Sequence, residues 1–304
     1  MSATLVELSD ALAEVTERAA ASAVAVHTEA RGSSSGVILR PGVIVTAEHA
    51  LRRDEEIHVT LPDGRAVSAS LAGRDSSTDL AVLKCADATA SSALAGTAAT
   101  AKSGALALVV GRTRASGPVA ALGVVSLVAA ERKVWTGAAL APYIRLDVSL
   151  QPTAVGGAAV DTSGRLIGLA TPRFARFGAI AVPAATVNHV VDVILQKGRV
   201  PRGYLGVGMQ PVRLPEALRQ SLRRGEKTAV IVLEVEPESP AHKAGIVIGD
   251  MLISLEGRPV THLEDVQSHL RGENIGKTLA ATIVRGGTAQ NISITVAERE
   301  HKGE

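Results

Sequence analysis

Two residues whose chemistry could combine stand at the ends of apolar runs. His49, in "TAEHAL", follows the strand-like "GVIVTA", and Asp79, in "STDLAVL", opens the strand-like "DLAVLK". A carboxylate beside an imidazole fixes the ring's tautomer and leaves its far nitrogen as a base, the arrangement that activates a hydroxyl or thiol nucleophile. The same two residues would also serve as a plain hydrogen-bonded pair inside a β structure. A third segment, "YIRLDVSLQPTAVGGAAVDTSGRLIGLAT", is built like a loop that presents a nucleophile. Asp147 enters it, Pro152 and the pair Gly156-Gly157 follow, and a strand, a Ser163-Gly164 turn and another strand leave it. Before the glycine pair stands Val155, which has neither hydroxyl nor thiol. The nearest hydroxyls, Thr153 and Ser149, are two and six residues away, and neither is expected to point at His49.

These segments need a β scaffold to bring them together. Between Ala23 and Cys85 run "SAVAVHT", "SSGVILR", "GVIVTA", "EIHVTL", "AVSASLAG" and "DLAVLK", parted by turn signals at Arg40-Pro41-Gly42 and Pro62-Asp63-Gly64. Six short strands with no helix between them predict a small barrel or sandwich. An Ala/Ser/Thr-rich connector at 86–103 leads to a second β set of similar size, so the pair predicts a double barrel. The opening "TLVELSDALAEVTERAAAS" sets Leu5, Leu8, Leu12 and Val15 on one helix face. "PAATVNHVVDVILQKG" reads as a helix with Pro183 at its start, an apolar face through Val187, Val190, Val191, Ile194 and Leu195, and Gly198 as its stop. From Arg199 onward about one hundred residues form a separate unit of ordinary domain size. It holds five strand-like runs and a helix opened by a Thr261-to-Glu264 capping box and closed at Gly272. The predicted division is therefore 1–198, 199–299 and a tail at 300–304.

Composition narrows the function classes. The net charge is +2 with no polybasic run, which predicts no nucleic-acid partner and no anionic membrane surface. Aromatic residues make up 2% of the chain, too few for platforms that stack bases or sugars. Cys85 is the single cysteine, so no intrachain disulfide forms, and its apolar run makes it core filler. The eight histidines show no metal-ligand spacing; His262 and His269 flank the late helix and read as solvated. No metal and no cofactor are expected. No apolar stretch is long enough to span a bilayer, and the first residues lack the basic start of a secretory signal. The expected compartment is the cytoplasm unless a signal has been removed.

In this order, on a double barrel, the three segments resemble the trypsin-like fold, and specifically the HtrA/DegP-type serine proteases with a C-terminal PDZ domain. The resemblance extends over nearly the whole chain. It includes Arg132 after "GVVSLVAAE", the junction "IAVPAATVNHVVDVILQKGRVPRGYLGV" and the PDZ-like "ESPAHKAGIVIGDMLISLEG". It implies a mainly β trypsin-like double barrel followed by an α+β PDZ domain. It places the catalytic histidine on His49, the catalytic aspartate on Asp79 and the nucleophile on Val155. The family's Asn-Pro-Gly-Asn-Ser-Gly-Gly falls on Gln151-Pro152-Thr153-Ala154-Val155-Gly156-Gly157. Two departures follow. Val155 cannot attack an acyl carbon, and Thr153 replaces the glycine whose N–H would help form the oxyanion hole. In a serine protease the loss of the nucleophile costs about a million-fold in kcat, and one oxyanion donor roughly a hundred- to a thousand-fold. In the PDZ part, the resemblance puts a carboxylate-binding loop and the start of the peptide-pairing strand on Tyr204, Leu205, Gly206 and Val207. Leu263, Val266 and Leu270 on the late helix would wall the side-chain pocket or belong to the core.

The reading is thus an HtrA-like pseudoprotease that binds unfolded polypeptides or protein C-termini as a scaffold, regulator or chaperone-like protein. Its rivals are a serine-type endopeptidase of protein quality control and an inactive subunit that modulates active protease paralogues. The resemblance also implies a homotrimer built through the N-terminal segment and, for most of the family, export from the cytoplasm.

Overall fold

The computed structural model describes residues 3–28, 31–51, 56–89, 101–129, 132–133, 139–140, 143–175, 177–222, 224–270 and 272–299. Most of the 86–103 connector and the 300–304 tail lie outside them. Two compact units emerge, residues 1–132 with 140–200, and residues 133–139 with 201–304.

The first unit opens with helix α1 (Ala3–Ala20). Strands β1 (Ala23–Thr28), β2 (Arg31–Arg40), β3 (Val43–Ala47), β4 (Ile57–Thr60), β5 (Ala66–Asp75) and β6 (Leu80–Lys84) close into a barrel in the order β1-β2-β3-β6-β5-β4. After β7 (Leu106–Thr113) and β8 (Gly117–Ala129) come two-residue strands β9 (Arg132–Lys133) and β10 (Ala139–Leu140). Strands β11 (Tyr143–Asp147), β12 (Ala158–Val160), β13 (Leu166–Thr171) and β14 (Ala179–Pro183) complete a second closed barrel, ordered β11-β14-β13-β12-β7-β8. Every barrel pairing is antiparallel.

Strand alternation explains why β3, β6, β13 and β14 are apolar almost without interruption. Ile38, Ile44 and Leu83 fill the first barrel, whereas Val37, Val45 and Val82, one position away, belong to the layer between the barrels. A strand buried on both faces needs apolar residues at every position. Val109, Leu146 and Ile167 fill the second barrel. Helix α2 (Ala184–Lys197) buries Val187, Val190, Val191 and Ile194 against the intervening layer and stops at Gly198, whose φ is +73°. The α1 stripe divides: Val15, Ala19 and Ala20 are buried there with Leu12 beside them, while Leu5 and Leu8 remain exposed.

In the second unit, β15 (Gly203–Tyr204) pairs with β22 (Ala297–Glu298). A sheet runs in the order β16 (Val207–Arg213), β17 (Thr228–Val235), β18 (Met251–Leu255), β20 (Thr278–Arg285), β21 (Thr288–Thr295), with β19 (Arg258–Pro259) also on β18. The short helices are α3 (Glu216–Ser221), α4 (Pro240–Lys243) and α5 (Leu263–Gln267). The sequence did not reveal α3 and α4, which are single turns started by a proline rather than by an apolar period. Helix α5 corrects the predicted boundaries. Its cap is His262, and Asp265 rather than Glu264 reaches back to the N–H groups of Thr261 and His262, at 2.8 and 3.0 Å. Gly272 begins a separate 3-10 turn and does not close the helix. His269, expected in solvent, is half-buried, with Nδ1 2.8 Å from the Asp265 carbonyl oxygen.

Candidate functional site

Strand β3 ends in a single 3-10 turn, Glu48–Ala50, that delivers His49. Two backbone bonds tie this turn to Asp79 at the start of β6: Glu48 N–H donates to the Asp79 carbonyl at 3.0 Å and His49 N–H to Oδ1 at 3.0 Å. The His49 ring then meets the carboxylate, with Nδ1 2.7 Å from Oδ2 and 2.9 Å from Oδ1. A carboxylate accepts only, so Nδ1 carries the proton in this contact. Asp79 is fully buried, with φ at +58°, a left-handed conformation that aspartate adopts more readily than most side chains. Its charge is met from several sides. The Thr171 hydroxyl donates to Oδ2 at 2.5 Å, and the Arg173 guanidinium lies 3.8 Å from Oδ1. Arg173 N–H holds that hydroxyl in place at 3.0 Å, and its side chain also reaches Glu48 at 3.5 Å. A buried carboxylate this well supplied with donors stays in one orientation.

The loop that carries Val155 lies against the same strand. Pro152–Ala154 form a 3-10 turn, and N–H groups donate three residues back along it: Ala154 to Gln151 at 2.9 Å, Val155 to Pro152 at 3.3 Å and Gly157 to Ala154 at 3.0 Å. Ser35 clamps this turn from β2. Its hydroxyl donates to the Thr153 carbonyl at 2.6 Å, and its N–H donates to the Val155 carbonyl at 2.7 Å. Gly156, at φ +80°, has no room for a side chain, since a Cβ there would stand 2.3 Å from the Ser35 carbonyl oxygen and 2.9 Å from the Ala47 nitrogen. This contact seats the glycine pair on the end of β3, two residues before His49. Val155 is buried, and as an aliphatic residue it leaves no unpaired polar group behind.

In the second unit, the turn between β15 and β16 gathers Tyr204, Leu205, Gly206 and Val207. The carbonyls of Leu205 and Gly206 accept from the N–H groups of Ala241 and Glu236, each at 2.9 Å. Among the described residues, no acceptor meets the N–H groups of Leu205 and Gly206. Gly206 has φ +74°, and a Cβ on it would collide with Ser239 at 2.2 Å. Strand β16 is the sheet's outer strand, with α5 packed near it. Val207, Met209, Leu263 and Leu270 are partly buried against the core. Val266 has no exposed surface and belongs to that core, so it presents nothing to a ligand.

Sequence reasoning named His49, Asp79, Thr153 and Val155 but missed Thr171, Arg173 and Ser35. Thr171 is 92 residues from Asp79, and no local spacing marks it. Among the described residues, no group of three or more His, Cys, Asp or Glu side chains is placed to hold a metal ion. No helix of the described residues is long and apolar enough to cross a membrane.

Comparison with known proteins agrees with this architecture. Residues 34–169 match the trypsin-like peptidase domain family and residues 203–296 the PDZ domain family. A probable periplasmic serine endoprotease, DegP-like, from Brucella suis is 32% identical over 282 residues, covering 89% of this chain and 53% of that protein. A Rhizobium meliloti protein of the same description is 30% identical over 273 residues, covering 88% and 53%. The chain thus spans about half the length of the curated relatives it matches. Among solved structures, the serine endoprotease from Yersinia pestis superposes with a TM-score of 0.74 at 27% identity, over 95% of this chain and 98% of that one. The HtrA-type protease AlgW with a tripeptide gives 0.74 at 27% identity, over 95% and 97%. With both domains in the same order and both closed barrels in place, the chain belongs to the HtrA/DegP-type family of trypsin-like serine proteases that carry a PDZ domain.

Proposed function

We propose that this chain has given up peptide hydrolysis and acts by binding polypeptide segments, as a scaffold, regulator or chaperone-like protein, through its PDZ domain. The observation that carries the reading is Val155 at the nucleophile position, with its N–H turned to Pro152 inside a 3-10 turn. An acyl-enzyme needs an oxygen or sulfur nucleophile, and the tetrahedral intermediate needs free N–H donors aimed at its oxyanion. Val155 offers no such nucleophile, and its own N–H donates to the Pro152 carbonyl, which supports the reading. What the remaining parts supply is binding: a loop with open N–H groups and an outer strand to which an extended peptide can add. A relative of the same architecture was solved with a tripeptide, which supports peptide binding.

The intact His49–Asp79 pair favours one rival, a serine-type endopeptidase whose hydroxyl comes from elsewhere in the loop. Incubating the chain with a fluorophosphonate probe and with casein separates the two. The binding reading expects neither labelling nor cleavage; labelling lost on Ser149→Ala or Thr153→Val would support the rival. The relatives' periplasmic description supports an exported location over the cytoplasmic one drawn from the first residues. A homotrimer through the exposed Leu5 and Leu8, and association with active protease paralogues, belong to this proposal too.

A further inference from the structure

Gly208 leaves one bare position near the start of β16, and glutamates stand opposite it and opposite Gly206 just before the strand. Glu236 N–H donates to the Gly206 carbonyl at 2.9 Å, and Gly208 pairs across the ladder with Glu234. A Cβ on Gly208 would lie 3.0 Å from the Glu234 Cβ and 3.3 Å from its Oε2, so this carboxylate leans over the β16 backbone. Among the described residues, the Glu234 carboxylate makes no hydrogen bond or ion pair. Glu236 accepts from the Tyr204 hydroxyl. Burial, together with that bond and the charge behind it, pushes the Tyr204 phenol up to about 12, so it remains a donor at ordinary pH. With the Tyr204 hydroxyl on Glu236, Glu234 is the less satisfied of the two carboxylates.

Side chains of a strand alternate between its faces. Val207 and Met209 face the core side, where α5 packs, and Gly208 faces the other side. A peptide added to β16 obeys the same alternation. With its terminal carboxylate at Leu205–Val207 and its last side chain on the Val207 and Met209 face, its penultimate side chain falls on the face of Gly208. Resting on the reading that a peptide C-terminus adds to β16, we propose that Glu234, with Glu236 beside it, selects ligands with a basic side chain at the penultimate position. Gly208 makes this selection effective, because at that position no side chain of β16 stands between Glu234 and the ligand strand. Neutral or acidic residues there would leave the carboxylates uncompensated or repelled.

The test uses the full chain and four fluorescent peptides of one sequence ending in an apolar residue. Three are free acids with Lys, Gln or Glu at the penultimate position, and the fourth is the Lys peptide with an amidated C-terminus. Binding by fluorescence polarisation at low salt should rank Lys over Gln over Glu, with Lys over Glu by roughly 3- to 10-fold, as expected for exposed charge pairs. The gap should close in Glu234→Gln with Glu236→Gln, and shrink in the wild type as added salt screens the charges. Equal affinities for the Lys and Glu peptides, or a gap that persists in the double variant, would overturn the proposal while the groove reading stands. Equal binding of the free-acid and amidated Lys peptides would instead remove the groove reading and this inference with it.

Discussion

The N–H of Val155 donates to the carbonyl of Pro152 at 3.3 Å, and so is turned away from any oxyanion at this loop. This bond sets what a restored nucleophile can do. Val155→Ser returns the hydroxyl beside the glycine pair but leaves the 3-10 turn in place. The single variant should therefore show little or no casein cleavage. Adding Thr153→Gly relaxes the backbone where the turn must open, and should raise activity by roughly a hundred-fold or more, the usual worth of an oxyanion donor. If the single variant cleaves casein as fast as the double, Thr153 plays no part in closing the hole.

Ser35 should contribute to the stability of the first unit out of proportion to its size. It is fully buried, and its hydroxyl serves the Thr153 carbonyl at 2.6 Å and the Arg112 N–H at 2.8 Å. Ser35→Ala strands both of these groups, at a cost of about 1–3 kcal/mol. The urea midpoint should fall with little change in slope. An unchanged midpoint would mean that neither bond matters to stability.

Acid should weaken the first barrel through His27. Burial, with Arg114 and His58 nearby, lowers its pKa from the ordinary 6.5. The folded protein therefore keeps the ring neutral where the unfolded chain already binds a proton. Stability from this group is complete above about pH 6.5 and declines as pH drops toward the lowered folded value. The urea midpoint of the wild type should accordingly fall between pH 7.5 and pH 5.5, and His27→Gln should lose less over the same range. An identical loss in both would assign the acid sensitivity to other groups.

The parts of this molecule visible in its sequence are those set by short-range rules. Alternation and turn glycines revealed both barrels, because Gly42 and Gly64 adopt the positive φ that their turns demand. Helix α2 was legible from Pro183 to Gly198 for the same reason. Helix α5 was misread because two carboxylates, Glu264 and Asp265, stood within reach of its start, and the shorter one makes the bonds. Around His49 the sequence showed the ring and its carboxylate, but Thr171, Arg173 and Ser35 join through contacts between distant strands. Those contacts leave no periodic trace. The division of the α1 stripe was hidden likewise, since only packing decides that Val15 is buried and Leu5 exposed.

Gly206 should tolerate no side chain. At φ +74°, with Ser239 Cβ 2.2 Å from where a methyl would stand, even Gly206→Ala must move the loop. Peptide affinity should fall at least tenfold, while the first unit's unfolding is unaffected. Gly225, with open space where a Cβ would stand and no positive φ, supplies the control: Gly225→Ala should bind as the wild type does. Equal affinity of Gly206→Ala and wild type would show that the loop does not receive the ligand.

The charge on the peptide's end provides the most direct test of the PDZ assignment. The N–H groups of Leu205 and Gly206 have no internal partner among the described residues, and a terminal carboxylate would supply both with a charged acceptor. Hydrogen bonds to a charged group contribute about 1.5–3 kcal/mol, so amidating the C-terminus should weaken binding roughly ten- to a hundred-fold. The free acid itself should bind with a micromolar Kd, about −8 kcal/mol, from a short added strand and one apolar side-chain pocket. That pocket can draw on Leu263 and Leu270, which are partly buried, and not on Val266, which is wholly core. Replacing the ligand's last apolar residue by Asp should consequently weaken binding independently of the amide. Titration of free-acid, amidated and Asp-ended peptides against the full chain by fluorescence polarisation distinguishes the two contributions. Equal affinity for acid and amide would mean that the loop's N–H groups face water and not a ligand.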